Sequence, residues 1–92
     1  MDDDLFTLRH ESYQAARDFY QAQGEYYAIR VACKRAERAA ALKLARETGT
    51  KHKAALEMLL AFFESEDHHE AEKERTRKLL EVLEWELAQL PR

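Results

Sequence analysis

Hydrophobic and small residues recur through the first half of the chain at Leu5, Leu8, Ser12, Ala15, Phe19, Ala22, Tyr26, Ile29, Cys33, Ala36 and Ala40, always three or four apart. That spacing holds one stripe on one side of an α-helix and is the seam pattern of helix-on-helix packing. A second stripe runs beside it at seven-residue intervals: Phe6, Tyr13, Tyr20 and Tyr27. Acidic Asp2, Asp3 and Asp4 precede the first apolar residue and suit a helix N-terminus. The pattern predicts one helix from about residue 4 to 47, roughly 65 Å long at about 1.5 Å per residue. Gly24 falls opposite the seam and costs about 1 kcal/mol without breaking it.

Thr48-Gly49-Thr50 is the clearest interruption. Gly49 suits a helix C-cap and a threonine the next N-cap, so a turn is expected at 48–50. The seam then resumes through Ala55, Leu59, Phe62, Glu66, His69, Lys73, Thr76, Leu80, Leu83, Leu87 and Leu90, predicting a second helix over about 51–90. Folding back about Gly49 sets residue i opposite roughly 98 minus i, which pairs Phe62 with Ala36 and Leu80 with Phe19. Large then meets small in most layers, as close packing requires. A rival boundary lies at Ser65-Glu66-Asp67, where Asp67 with Glu70 forms a capping signature for a third helix. The expected fold is all-α: a single helical domain, residues 1–92, built as a long antiparallel hairpin with that third helix as its variant.

Composition narrows the classes. The chain is 36% charged and 46% apolar, with two glycines and one proline, which favours long helices. A single cysteine excludes an internal disulfide, and the opening Met-Asp-Asp-Asp is unlike a secretory leader. No apolar run reaches membrane-spanning length, so a cytoplasmic protein is expected. The net charge of −3 conceals a segregation, because Arg30 to Lys53 holds eight basic residues against two acidic ones.

Three constellations carry candidate chemistry. The aromatic stripe, with Val82 and Trp85 lying off the seam of the last helix, exceeds what one partner helix covers. Phe6, Tyr13, Tyr20, Tyr27, Val82 and Trp85 are therefore the expected interface of a homo-oligomer, two hairpins forming a four-helix bundle. Lys34, Arg35, Arg38, Arg46, Lys51 and Lys53 would crowd the hairpin tip, where such a patch neutralises phosphates of nucleic acid. Glu66 and His69 have the Glu-x-x-His spacing of metal-binding helical bundles. Cys33, on a seam position among small and apolar residues, reads as a small core residue rather than a nucleophile. There is no glycine-rich phosphate loop, no Ser-His-Asp signal and no carboxylate pair in apolar surroundings. A non-enzymatic interaction module without cofactor is the leading expectation, with nucleic-acid binding and metal binding as alternatives.

The stretches Tyr27 to Leu44, Arg46-Glu47-Thr48-Gly49-Thr50 and Leu79 to Leu90 resemble small all-helical proteins of tailed bacteriophages and prophages. Those have a long N-terminal heptad helix, a turn and leucine-spaced C-terminal helices. The resemblance implies a phage accessory protein and carries over no functional residue.

Overall fold

The computed structural model describes every residue except Met1, Cys33, Asp67 and Arg92, with the side chains of Asp2 and Asp3 also outside it. Three helices follow one another: α1, Asp2–Val31; α2, Arg35–Glu64; and α3, Glu70–Gln89. The described residues contain no strand, and the fold is all-α.

The first reversal lies between the end of α1 at Val31 and the start of α2 at Arg35, where the seam pattern predicts continuous helix. The Ala32 N–H donates to the Ala28 carbonyl at 3.0 Å and the Lys34 N–H to the Ile29 carbonyl at 3.2 Å. The second bond spans five residues, a pattern that closes helix C-termini. Lys34 then caps α2 without a side-chain bond. Cys33, expected on the seam, lies outside the described residues.

Helix α2 runs unbroken through Thr48-Gly49-Thr50, where the turn was expected. The two threonine hydroxyls turn back into their own helix: Thr48 donates to the Leu44 carbonyl at 2.8 Å and Thr50 to the Arg46 carbonyl at 2.9 Å. Such bonds satisfy a hydroxyl inside a helix as readily as at a cap. Gly49 is buried because both other helices reach it. A Cβ built there would collide with Leu87 Cδ2 of α3 and stand 3.0 Å from Phe19 Cε1 of α1. The glycine is a point of close approach rather than an end.

At the second reversal the rival boundary is the one adopted. The Ser65 N–H reaches the Ala61 and Phe62 carbonyls, and its hydroxyl donates to Phe62 at 2.6 Å. Acidic Glu70 and Glu72 sit in the first turn of α3, where they complement its dipole. Asp67, expected as its cap, lies outside the described residues.

Helices α1 and α2 are antiparallel, with Phe19 against Gly49 and the Arg9 guanidinium 5.8 Å from the Phe63 ring centre. Helix α3 returns antiparallel to α2, tied by Lys53–Glu84 at 3.7 Å and Arg77–Glu64 at 3.5 Å. It therefore runs parallel to α1. The molecule spans 50 × 22 × 16 Å, shorter than the rod a two-helix hairpin would make. The pairing of i with 98 minus i does not occur, since Ala36 and Phe62 share one helix.

The core gathers Phe19, Ala22 and Tyr26 of α1, Ala45 and Leu56 of α2, and Leu80, Leu83 and Leu90 at α3. The expected seams of the first and last helices are thus inward. On α2 the inward line is Ala45, Gly49, His52, Leu56, Leu59 and Phe63, one position away from the expected Ala55 and Phe62. Two polar seam residues of α3 are also buried. Thr76 donates to the Glu72 carbonyl at 2.7 Å, and the Lys73 ammonium meets Glu70 at 3.0 Å.

The two glycines should respond oppositely to alanine. Nothing lies within 4 Å of a Cβ at Gly24, so Gly24→Ala gains helix propensity and stabilises by about 0.5–1 kcal/mol. At Gly49 the same gain is outweighed by overpacking against Phe19 and Leu87, which costs about 1–3 kcal/mol. Urea unfolding followed by circular dichroism, at one protein concentration, checks the two signs. Leu83 is fully buried, and Leu83→Ala should lose about 2–5 kcal/mol in the same assay.

Candidate interaction groove

A stripe at strict seven-residue spacing does not stay on one side of a straight α-helix, because 3.6 residues per turn makes it drift by about 20° per heptad. The aromatic stripe of α1 drifts in this way. Phe6 is 72% exposed, Tyr13 69% and Tyr20 45%, while Tyr27 is half-buried and packed on the core. The stripe begins in solvent and winds toward α3.

It meets α3 across a gap. Among the described residues no Cα of α1 comes within 8 Å of one in α3, so the two helices touch only through side chains. The Gln23 amide donates to Glu86 Oε2 at 3.1 Å, and the Tyr20 hydroxyl approaches Glu86 Oε1 at 3.5 Å. Above these contacts lies an open groove of about 670 Å³, walled by Tyr20, Gly24, Tyr27 and Arg30 on one side and Val82, Trp85 and Gln89 on the other. The bare Cα of Gly24 leaves the α1 wall unfilled. Val82 and Trp85 remain 51% and 65% exposed, and Leu79 continues their apolar surface.

A buried histidine lies next to Tyr20. His52 of α2 is buried at 4% exposure, with Phe19 and Tyr20 rings 6.1 and 6.0 Å away. Its Nδ1 is buried with no hydrogen-bond partner, and burial lowers the imidazole pKa below its ordinary value. Partial burial first, then the neighbouring Glu86 carboxylate, raises the Tyr20 phenol above its own.

Tyr20, Tyr27, Val82 and Trp85 of the expected interface are thus brought together at one groove. Phe6 and Tyr13 lie farther along α1, exposed, with Phe6 stacked on His10 at 6.3 Å. Gln23, Gly24 and Glu86 were not singled out by hydrophobic pattern, although Gly24 sits between Tyr20 and Tyr27 at helical spacing.

The expected basic tip is not assembled. Lys34 and Arg35 stand at the start of α2, and Arg38, Arg46, Lys51 and Lys53 follow along it. Arg35 and Lys53 are roughly 27 Å apart at about 1.5 Å per residue. Lys53 is paired with Glu84, and the Arg38 Nε is buried without a partner. Lys34, Arg35 and Arg38 also sit at the end of a helix whose dipole disfavours cations. The Glu66–His69 spacing falls in the connection between α2 and α3 rather than on a helix face. The His69 ring lies 5.1 Å from Phe63, its Nδ1 4.0 Å from Glu72, and Glu66 is exposed. Among the described residues no three His, Cys, Asp or Glu side chains are grouped to hold a metal ion.

No protein-family model, curated protein or solved structure matches the chain. No described helix is long and apolar enough to cross a membrane.

An unfolded chain takes up its His52 proton near pH 6.5, whereas the buried ring does so only at lower pH. The unfolded state therefore binds more protons as pH falls below about 6.5, and stability contributed by neutral His52 is lost in that direction. His52→Leu should flatten the stability profile between about pH 6.5 and 5. It also removes an unpartnered buried nitrogen, which costs about 1–3 kcal/mol, so stability at pH 7 should not fall. Urea midpoints for both proteins across that pH range measure the effect.

Proposed function

We propose that this chain is a non-enzymatic helical interaction module that self-associates through its α1–α3 face. The observation that carries the reading is the groove in which Tyr20, Tyr27, Val82 and Trp85 converge, beside exposed Phe6, Tyr13 and Leu79. Large aromatic side chains exposed together on one face are characteristic of association surfaces. The hydrophobic effect favours covering them. In such an assembly α1 and α3 of two protomers form a four-helix layer, with α2 of each on the outside. The geometry offers no comparable support for a phosphate-binding tip or a metal bundle, since the residues each would need are spread along α2 or lie in a connection.

Light scattering over nanomolar to high-micromolar protein should therefore show mass rising from about one chain, 10.8 kDa, toward a small multiple of it. Trp85→Ala should weaken association about tenfold or more, while changing monomer stability by less than about 0.5 kcal/mol because the ring is exposed. A protein that stays at the mass of one chain throughout that range would overturn the reading.

A further inference from the structure

Resting on that self-association, we propose that two copies pair antiparallel, about a twofold axis lying across α1 and α3, so that Phe6 of each copy seats in the groove of the other.

Shape is the first observation. The aromatic face of α1 has a projecting part and a recessed part at different heights. Phe6 projects, exposed and stacked on His10 at 6.3 Å. The recess is the groove between Tyr20, Tyr27 and Trp85, open over the bare Cα of Gly24. Phe6 and Gly24 are 18 residues apart on one helix, about 27 Å at about 1.5 Å per residue. At 3.6 residues per turn that interval is about five whole turns, so both positions share one side of α1. A twofold axis parallel to the helices keeps every residue at its own height. It sets Phe6 at the height of Phe6 and one recess over the other, leaving both unfilled. An axis across the helices near residue 15 exchanges the heights. Phe6 then lies over Gly24 of the other copy, and the same contact is made twice, as an isologous interface requires. An aromatic ring suits aromatic walls, and the missing Cβ lets it approach the backbone.

The charge of the two ends is the second, independent observation. The end formed by residues 26–32 and 34–46 carries Arg30, Lys34, Arg35, Arg38, Lys43 and Arg46 against Glu37, net +5. The opposite end, formed by residues 2–11, 62–66 and 68–77, carries nine acids against Arg9, Lys73, Arg75 and Arg77, net −5 with the histidines neutral. The stretches between them, 12–25, 47–61 and 78–91, are net −3, including Lys78 beside Leu79 and Val82. Screening confines exposed charges to about 8 Å at physiological salt, so the ends act on each other only where they lie side by side. Parallel copies put like ends together. Antiparallel copies put each basic end beside an acidic one. Phe6 belongs to the acidic end and the groove reaches Arg30 of the basic end. The arrangement that fills the groove is therefore also the one that pairs opposite charges.

One spin label reads the orientation and two substitutions read the seat. Position 28 is exposed near the basic end. Labelled there in a Cys33→Ser background, the two copies should show a distance of about 35–45 Å, because the axis near residue 15 doubles a separation of about 13 residues at about 1.5 Å each. Phe6→Ala removes the ring and Gly24→Leu fills the recess. Phe6 is exposed and nothing lies within 4 Å of a Cβ at Gly24, so both variants should keep the helical circular dichroism of the parent chain. Each alone should raise the dissociation constant about tenfold or more. Mixed, they leave one intact ring facing one open recess, and the substituted pair meets without a clash. Sedimentation velocity should then show a heterodimer about threefold or more tighter than either homodimer, after allowing for the factor of about two that mixing alone supplies. A parent dimer with labels closer than about 25 Å would overturn the antiparallel order. The long distance without a gain in the mixture would overturn the seat of Phe6. Either result leaves self-association standing, whereas a parent protein that remains a monomer would overturn both.

Discussion

The meeting of Phe19, Gly49 and Leu87 is the constraint on which the arrangement of the three helices depends. At that level α1 and α3 both press on the backbone of α2, and a Cβ there would stand against Leu87 Cδ2 and the buried Phe19 ring. Phe19 can then be completely buried, and Leu87 can pack at the edge of the same core. The intimacy is confined to α2. With both neighbours drawn onto its surface, the backbones of α1 and α3 stay apart from each other, sharing the core through side chains and bridged beside it by Glu86 and its two donors. The groove is a consequence of the way the core closes.

That core explains which parts of the fold were legible in the sequence. The seams of α1 and α3 are built from large residues at unambiguous spacing, such as Phe19, Tyr26, Leu80 and Leu83, and each faces inward as the pattern requires. The stretch from 33 to 63 was misread for physical reasons. Its alanines at 36, 39, 40, 41 and 45 support several registers equally. Two of its inward residues, Gly49 and His52, do not count as hydrophobic in a pattern. The first reversal involves neither glycine nor proline at its edges, so no residue type announced it. Gly49 drew the turn to itself because local propensity makes glycine a helix end, and tertiary packing overrode that propensity. The surplus of aromatic surface was legible. Part of it, Tyr27, is taken up by the third helix, and the remainder outlines the groove.

The same geometry links dynamics to the proposed role. The α1–α3 contact relies on exposed or half-buried polar groups and would loosen before the α1–α2 packing does. His52 keeps an unpartnered nitrogen in the core next to Tyr20. Acidification therefore acts on the core packed against one residue of the surface through which association is proposed.

The three-helix fold requires α2 to be one continuous helix through Gly49. Spin labels at positions 36 and 61, both exposed, report this directly in a Cys33→Ser background diluted with unlabelled protein. Along one helix the 25 intervening steps separate the two backbones by about 38 Å at about 1.5 Å per residue. Pulsed electron-electron resonance should therefore give a single narrow distribution near that distance, broadened by the label arms. A hairpin turning at Gly49 would bring the same positions side by side, and a distribution centred below about 20 Å would contradict the three-helix fold.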